Sequence, residues 1–103
     1  MAGVTSAQNA TRVRLYTRRW CGYCFAARRL LEKLEVEFEE IQLDGRPDLR
    51  REISVEAGGW RTVPMIFAGD RFLGGFNEVA DLHRRGKLEQ IVGSTENAAA
   101  DRP

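Results

Sequence analysis

The chain has 103 residues, 43% of them hydrophobic and 30% charged, with 16 Lys or Arg against 15 Asp or Glu. That length and composition suit one compact domain with an ordinary core and leave no room for a second. A formal net charge of +1 gives no basis for a nucleic-acid surface, and no apolar run approaches the roughly 18 residues a membrane helix needs.

Residues 1–10 carry neither the charged start nor the apolar stretch of a secretory signal, so they read as a flexible leader and the expected setting is cytoplasmic. Val13 and Leu15 alternate with Arg12, Arg14 and Tyr16, which describes a strand ending at Thr17. It feeds Arg18-Arg19-Trp20-Cys21-Gly22-Tyr23-Cys24, the stretch that holds both cysteines of the chain. From about Tyr23 to Leu34 the apolar Phe25, Ala26, Leu30, Leu31 and Leu34 recur at helical spacing, opposite Arg28, Arg29, Glu32 and Lys33. Val36 to Leu43 alternates again through Val36, Phe38, Ile41 and Leu43. The step from Phe38 to Ile41 breaks the period, so a bulge or burial on both faces is expected there.

Asp44-Gly45 marks a turn, Pro47 opens a second helix over Asp48 to Ala57, and Gly58-Gly59 stops it. Strand, helix, strand implies a parallel pair with a right-handed crossover. Met65-Ile66-Phe67-Ala68 is a short buried strand that Gly69-Asp70 turns into Arg71-Phe72-Leu73, which makes the second half antiparallel. After Gly74-Gly75, Asn77 reads as the N-cap of a third helix through Val79, Leu82 and His83, and a last turn over Lys87 to Val92 brings Leu88 and Ile91 to the core. His83 is assigned no chemistry. Past Gly93 the chain turns to Ser, Thr, Asn and Ala, so residues 94–103 read as a disordered tail and the domain as residues 11–93.

Two cysteines at i and i+3 either close a small disulfide ring or share a metal. A closed zinc site needs four ligands, and beyond the cysteines the chain has a single His, so zinc within one subunit is disfavoured and no metal is assigned. Cys21 falls at a helix N-terminus, where backbone N–H groups and the helix dipole favour a thiolate, and up to Leu31 the chain has several arginines and no acid. Cys21 therefore reads as the nucleophile and Cys24, one turn inside, as the resolving thiol. An inert structural pair is the plainer reading, but so short a loop stabilises little.

Four pieces in order, Tyr16-Thr17, Trp20-Cys21-Gly22-Tyr23-Cys24, Thr62-Val63-Pro64 and Gly74-Gly75-Phe76-Asn77-Glu78, resemble the glutaredoxins over about residues 12–92. Gly22 stands where that family usually has Pro, and Arg18 where it often has Lys. The resemblance implies a thioredoxin-like α/β fold, a four-stranded mixed sheet flanked by helices on both faces. It also implies glutathione as co-substrate and reduction of glutathionylated or disulfide-bonded proteins. On it, Val63, before a cis Pro64 and after Thr62, pairs its backbone with the cysteinyl unit of glutathione. Gly75, Phe76 and Asn77 offer a helix N-terminus to the glutamyl carboxylate. Arg18, Arg61 and one of Arg50 or Arg51 are candidates for the glycyl carboxylate. Tyr23 matches a family position in the thiol groove, and Trp20 is a further candidate for its wall. Members without the Pro include some that hold a [2Fe–2S] cluster between two subunits through the first cysteine, here Cys21, and two glutathiones. The Trp-Cys-Gly-Tyr-Cys motif is also similar to the mycothiol-dependent mycoredoxins. The expected state is a monomer, or a dimer where a cluster bridges it.

Overall fold

A computed structural model describes residues 12–92; the expected leader and tail lie outside the described residues. The elements are β1 (Val13–Thr17), α1 (Gly22–Lys33), β2 (Phe38–Gln42), α2 (Pro47–Glu56), β3 (Met65–Ala68), β4 (Arg71–Gly74), α3 (Phe76–Arg84) and α4 (Leu88–Val92). The strands lie in the order β2-β1-β3-β4, with β1 parallel to β2 and antiparallel to β3, and β3 antiparallel to β4. The parallel pair needs a crossover, which α1 supplies, while two residues suffice for the β3–β4 hairpin.

Successive strand residues face opposite ways, and both faces of this sheet are covered. Val13, Leu15, Ile66 and Ala68 join Ala27 and Leu31 of α1, Val79 of α3 and Leu88 and Val92 of α4 in one cluster. Tyr16, Met65 and Phe67 meet Ile53 and Ala57 of the α2 segment in the other. All four residues of β3 are consequently buried, and the element reads as an unbroken apolar run.

One open alternative is decided and two expectations are corrected. The β1–β2 register runs without interruption from Val13 opposite Phe38 to Thr17 opposite Gln42, so there is no bulge in β2. Phe38 packs on the first cluster and Ile41 on the second, which is burial on both faces. The sheet's irregularity falls between Ile66 and Phe67 instead. Second, β2 begins at Phe38 and not at Val36, because Val36 still closes α1. Glu35 takes a left-handed φ of 59°, its N–H bonds to Glu32 O at 3.0 Å and the Val36 N–H bonds to Leu31 O at 2.9 Å. That is a Schellman ending with Glu where Gly is usual.

Third, the N-cap of α3 is Gly75, and Asn77 lies inside the first turn. Glu78 reaches back so that its Oε1 accepts the Gly75 N–H at 2.9 Å, half of a capping box, which fixes the start two residues earlier than Asn77. Gly74 makes room for that reach. Its φ is 116°, and a Cβ there would lie 2.6 Å from Glu78 Cβ.

Candidate active site

The loop after β1 delivers Cys21 as the N-cap of α1, in extended conformation at φ −114° and ψ 109°. Its Sγ takes the place of the usual capping oxygen and accepts the Cys24 N–H at 3.1 Å. The positive end of α1 therefore points at the sulfur, with no acid in the first helical turn to oppose it. Cys24 faces the other way. It is 1% exposed, and its thiol is pushed up from 9.0 to about 12, first by burial and then by the hydrogen bond and charge of Cys21. Both cysteines are free, one half-buried at the surface and the other inside.

Beneath Cys24 lies a polar cluster. Arg28 holds Glu40 with two hydrogen bonds of 2.8 and 2.6 Å, and the buried Thr17 hydroxyl donates to the same carboxylate at 2.9 Å. The Arg28 guanidinium keeps the Glu40 carboxyl below the usual carboxylate range. Its charge also works to lower the Cys24 thiol, an effect that burial outweighs.

The Val63–Pro64 peptide is cis and leads into β3, with Val63 O 4.0 Å from Cys21 Sγ. Around it opens a cleft of about 430 Å³. Arg18, Tyr23, Arg61, Thr62, Val63, Pro64, Gly75, Phe76 and Asn77, all read from the sequence, line it together with Cys21. Cys24 does not. On one side stands the start of α3, where Phe76 and Asn77 are the first two helical residues. Their N–H groups precede the first intrahelical donor and have no carbonyl within the helix to bond. On the other side Arg18, Arg50 and Arg61 bring positive charge. Tyr23, at the mouth, leans on Phe76 with ring centroids 6.2 Å apart.

Arg50 and Arg51 differ in position. Arg50 lines the cleft and donates to Arg61 O at 3.0 Å, whereas Arg51 turns away to Asp48 at 3.1 Å. Trp20 is corrected: at φ 57° its side chain points into solvent, 94% exposed, and it does not line the cleft. Two lining residues were missed from the sequence. Trp60 stands in the wall, edge-on to Phe72 at 5.2 Å, its carbonyl pinned by the Ser54 hydroxyl at 2.6 Å. An aromatic four residues before the Pro was the only signal for it. Glu78 was announced more clearly, since Gly75-Phe76-Asn77-Glu78 has the spacing of a capping box.

Residues 13–73 match the family model described as Glutaredoxin. The chain is 42% identical over 78 residues, 76% of this chain and 92% of that protein, to a glutaredoxin of Pseudomonas aeruginosa. Among solved structures, a buckwheat glutaredoxin–glutathione complex superposes with a TM-score of 0.74 at 28% identity, covering 92% of this chain and 91% of that one. The solution structure of a Brucella melitensis glutaredoxin gives 0.73 at 36% identity, covering 82% and 91%. With its paired thiols at a helix start and its thioredoxin-like sheet, the chain belongs to the glutaredoxin family of thiol–disulfide oxidoreductases.

Proposed function

We propose that the chain is a glutathione-dependent oxidoreductase that reduces protein–glutathione mixed disulfides and protein disulfides, with Cys21 as nucleophile and Cys24 as resolving thiol. One observation carries this reading. Cys21 Sγ opens onto a cleft that offers a backbone edge at Val63, a helix start at Phe76 and Asn77, and the arginines Arg18, Arg50 and Arg61. Glutathione has an amide backbone, a carboxylate at each end and a thiol between them, so each part finds a partner of matching chemistry. The buckwheat relative, of similar fold, was solved with glutathione.

In the proposed reaction the Cys21 thiolate attacks the glutathione sulfur of a mixed disulfide. A Cys21–glutathione disulfide forms, the old S–S bond breaks, and the substrate leaves as a thiolate that takes a proton from water. A second glutathione thiolate attacks the same sulfur, releasing oxidised glutathione and restoring Cys21. Towards a protein disulfide, Cys24 loses its proton and attacks Cys21 in the mixed disulfide, expelling the reduced substrate and leaving a Cys21–Cys24 disulfide for glutathione to reduce. Once Cys21 is in a disulfide its negative charge is gone, and with it one of the causes that raise the Cys24 thiol. Burial remains, which favours the route through a second glutathione.

A [2Fe–2S] cluster would need donors from outside the chain besides Cys21. Cys24 is buried, and among the described residues no three His, Cys, Asp or Glu gather. The cytoplasm is the proposed setting, since a two-cysteine pair there is more often catalytic than structural, with the monomer as the working form. The test is turnover of a small glutathione mixed disulfide with glutathione and glutathione reductase. Activity with glutathione that is lost in Cys21→Ser supports the reading. Activity restored only by mycothiol would move the chain to the other thiol.

A further inference from the structure

The start of α1 contains a pairing that the protein leaves unmade. An apolar residue just before an N-cap commonly packs against the fourth helical residue, fixing how the chain enters the helix. With Cys21 as the N-cap, those positions hold Trp20 and Phe25. Both are apolar, yet Trp20 is 94% exposed and Phe25 54%. The backbone is the cause: the left-handed φ of 57° at Trp20, a conformation costly for a bulky side chain, swings the indole away from the helix. Two apolar side chains thus stand in water beside the nucleophile, and neither lines the glutathione cleft.

The charged side chains nearest them in the chain are arginines, of which Arg19 is paired with Asp44 at 3.8 Å. Arg29 lies over the Phe25 ring at 5.6 Å, and Arg18 and Arg19 precede Trp20. The carboxylates near this end of the sheet are already engaged, Asp44 by the Arg19 backbone N–H at 3.0 Å and Glu40 by Arg28. Among the described residues no ion pair involves Arg18 or Arg29.

We propose that Trp20 and Phe25, with Arg29 beside them, are a docking surface for the protein half of the substrate, and that they select a cysteine-bearing segment with an apolar side chain and carboxylates next to the cysteine. Complementary charge would steer the encounter and the open aromatic pair would close over the apolar side chain. This rests on the reading of Cys21 as the attacking thiol, and it adds a preference among protein substrates that the glutathione cleft does not supply.

Two short glutathionylated peptides test it, one with Leu and two Glu around the cysteine and one with Ser and two Lys, beside the mixed disulfide of glutathione and 2-mercaptoethanol. The expected result is kcat/KM about tenfold higher for the acidic peptide, shrinking as salt is raised. Trp20→Ala and Arg29→Ala should each bring the two peptides to within about threefold, with the small disulfide turned over as before. Equal rates on both peptides in the unsubstituted protein would overturn the proposal, and so would an equal loss on all three substrates. Absence of turnover on the small disulfide sinks the oxidoreductase reading instead. Binding of the labelled peptides to Cys21→Ser, followed by anisotropy, then judges the surface alone: preference for the acidic peptide that Trp20→Ala removes supports it, and equal binding refutes it.

Discussion

Cys24 donates its backbone N–H to Cys21 Sγ at 3.1 Å while its own thiol lies 1% exposed beneath the helix. In the proposed chemistry one residue thus serves Cys21 in two separable ways, through a main-chain donor that any amino acid except Pro would supply and through a sulfur that only Cys supplies. Cys24→Ser should therefore keep the cap intact and preserve turnover of glutathione mixed disulfides within about threefold, while reduction of protein disulfides falls by at least about tenfold. Cys21→Ser should abolish both. Parallel assays of the two substrate types on the two variants check this, and loss of both activities in Cys24→Ser contradicts the division of roles.

Burial of the Cys24 thiol also has a signature in stability. Its thiol sits at about 12 in the fold against an ordinary 9.0, so the folded state holds the proton more tightly than the unfolded chain. The stabilisation is fully present below pH 9 and is lost as pH rises towards 12. Denaturant midpoints of the reduced protein should fall faster over that window than those of Cys24→Ala, whose core lacks the titrating group. Parallel pH profiles for the two proteins would show the burial argument to be wrong.

Arg50 and Arg51 are neighbours in sequence on α2, but only Arg50 faces the cleft. Arg50→Ala should raise the KM for glutathione about fivefold, a modest effect because a half-buried guanidinium at the edge of an open cleft is still screened by water, and leave kcat nearly unchanged. Arg51→Ala should change neither. Steady-state kinetics on both variants decide the matter, and an equal effect of the two substitutions would remove Arg50 from the site.

Gly74 admits no side chain. A Cβ there would meet Glu78 Cβ at 2.6 Å in a backbone conformation of φ 116° that side chains rarely adopt. Gly74→Ala should cost about 2–4 kcal/mol, read as a lowered melting temperature, because strain adds to the clash. Gly22→Ala meets nothing within 4 Å and should be almost silent in the same measurement.

Much of this was legible before the structure, and the reasons are local. β1 and the β3–β4 hairpin follow from alternation, a four-residue apolar run and a two-residue turn, and Pro47 marked the start of α2. The thiol at a helix start was readable from its own chemistry, whereas the Pro-led strand and the glycine pair before a helix were readable as cleft only through the ordered resemblance to the glutaredoxins. What stayed hidden depends on tertiary placement. The start of α3 was misread because Asn77 has good capping chemistry of its own, and only the reach of Glu78 to Gly75 decides the competition. Trp20 was a candidate for the groove wall because an apolar side chain beside a thiol invites burial, but it has a left-handed φ of 57° and stands 94% exposed. Trp60 gave no periodic signal, and which of Arg50 and Arg51 lines the cleft turned on the phase of α2.

The most direct measurement is intact mass after Cys24→Ser protein, reduced and freed of thiol, reacts with the mixed disulfide of glutathione and 2-mercaptoethanol. Attack by Cys21 on a glutathione sulfur held in the cleft predicts one glutathione per chain, attached at Cys21 and absent in Cys21→Ser. An adduct of 2-mercaptoethanol in its place, or no adduct at all, would contradict the placement of glutathione against Cys21.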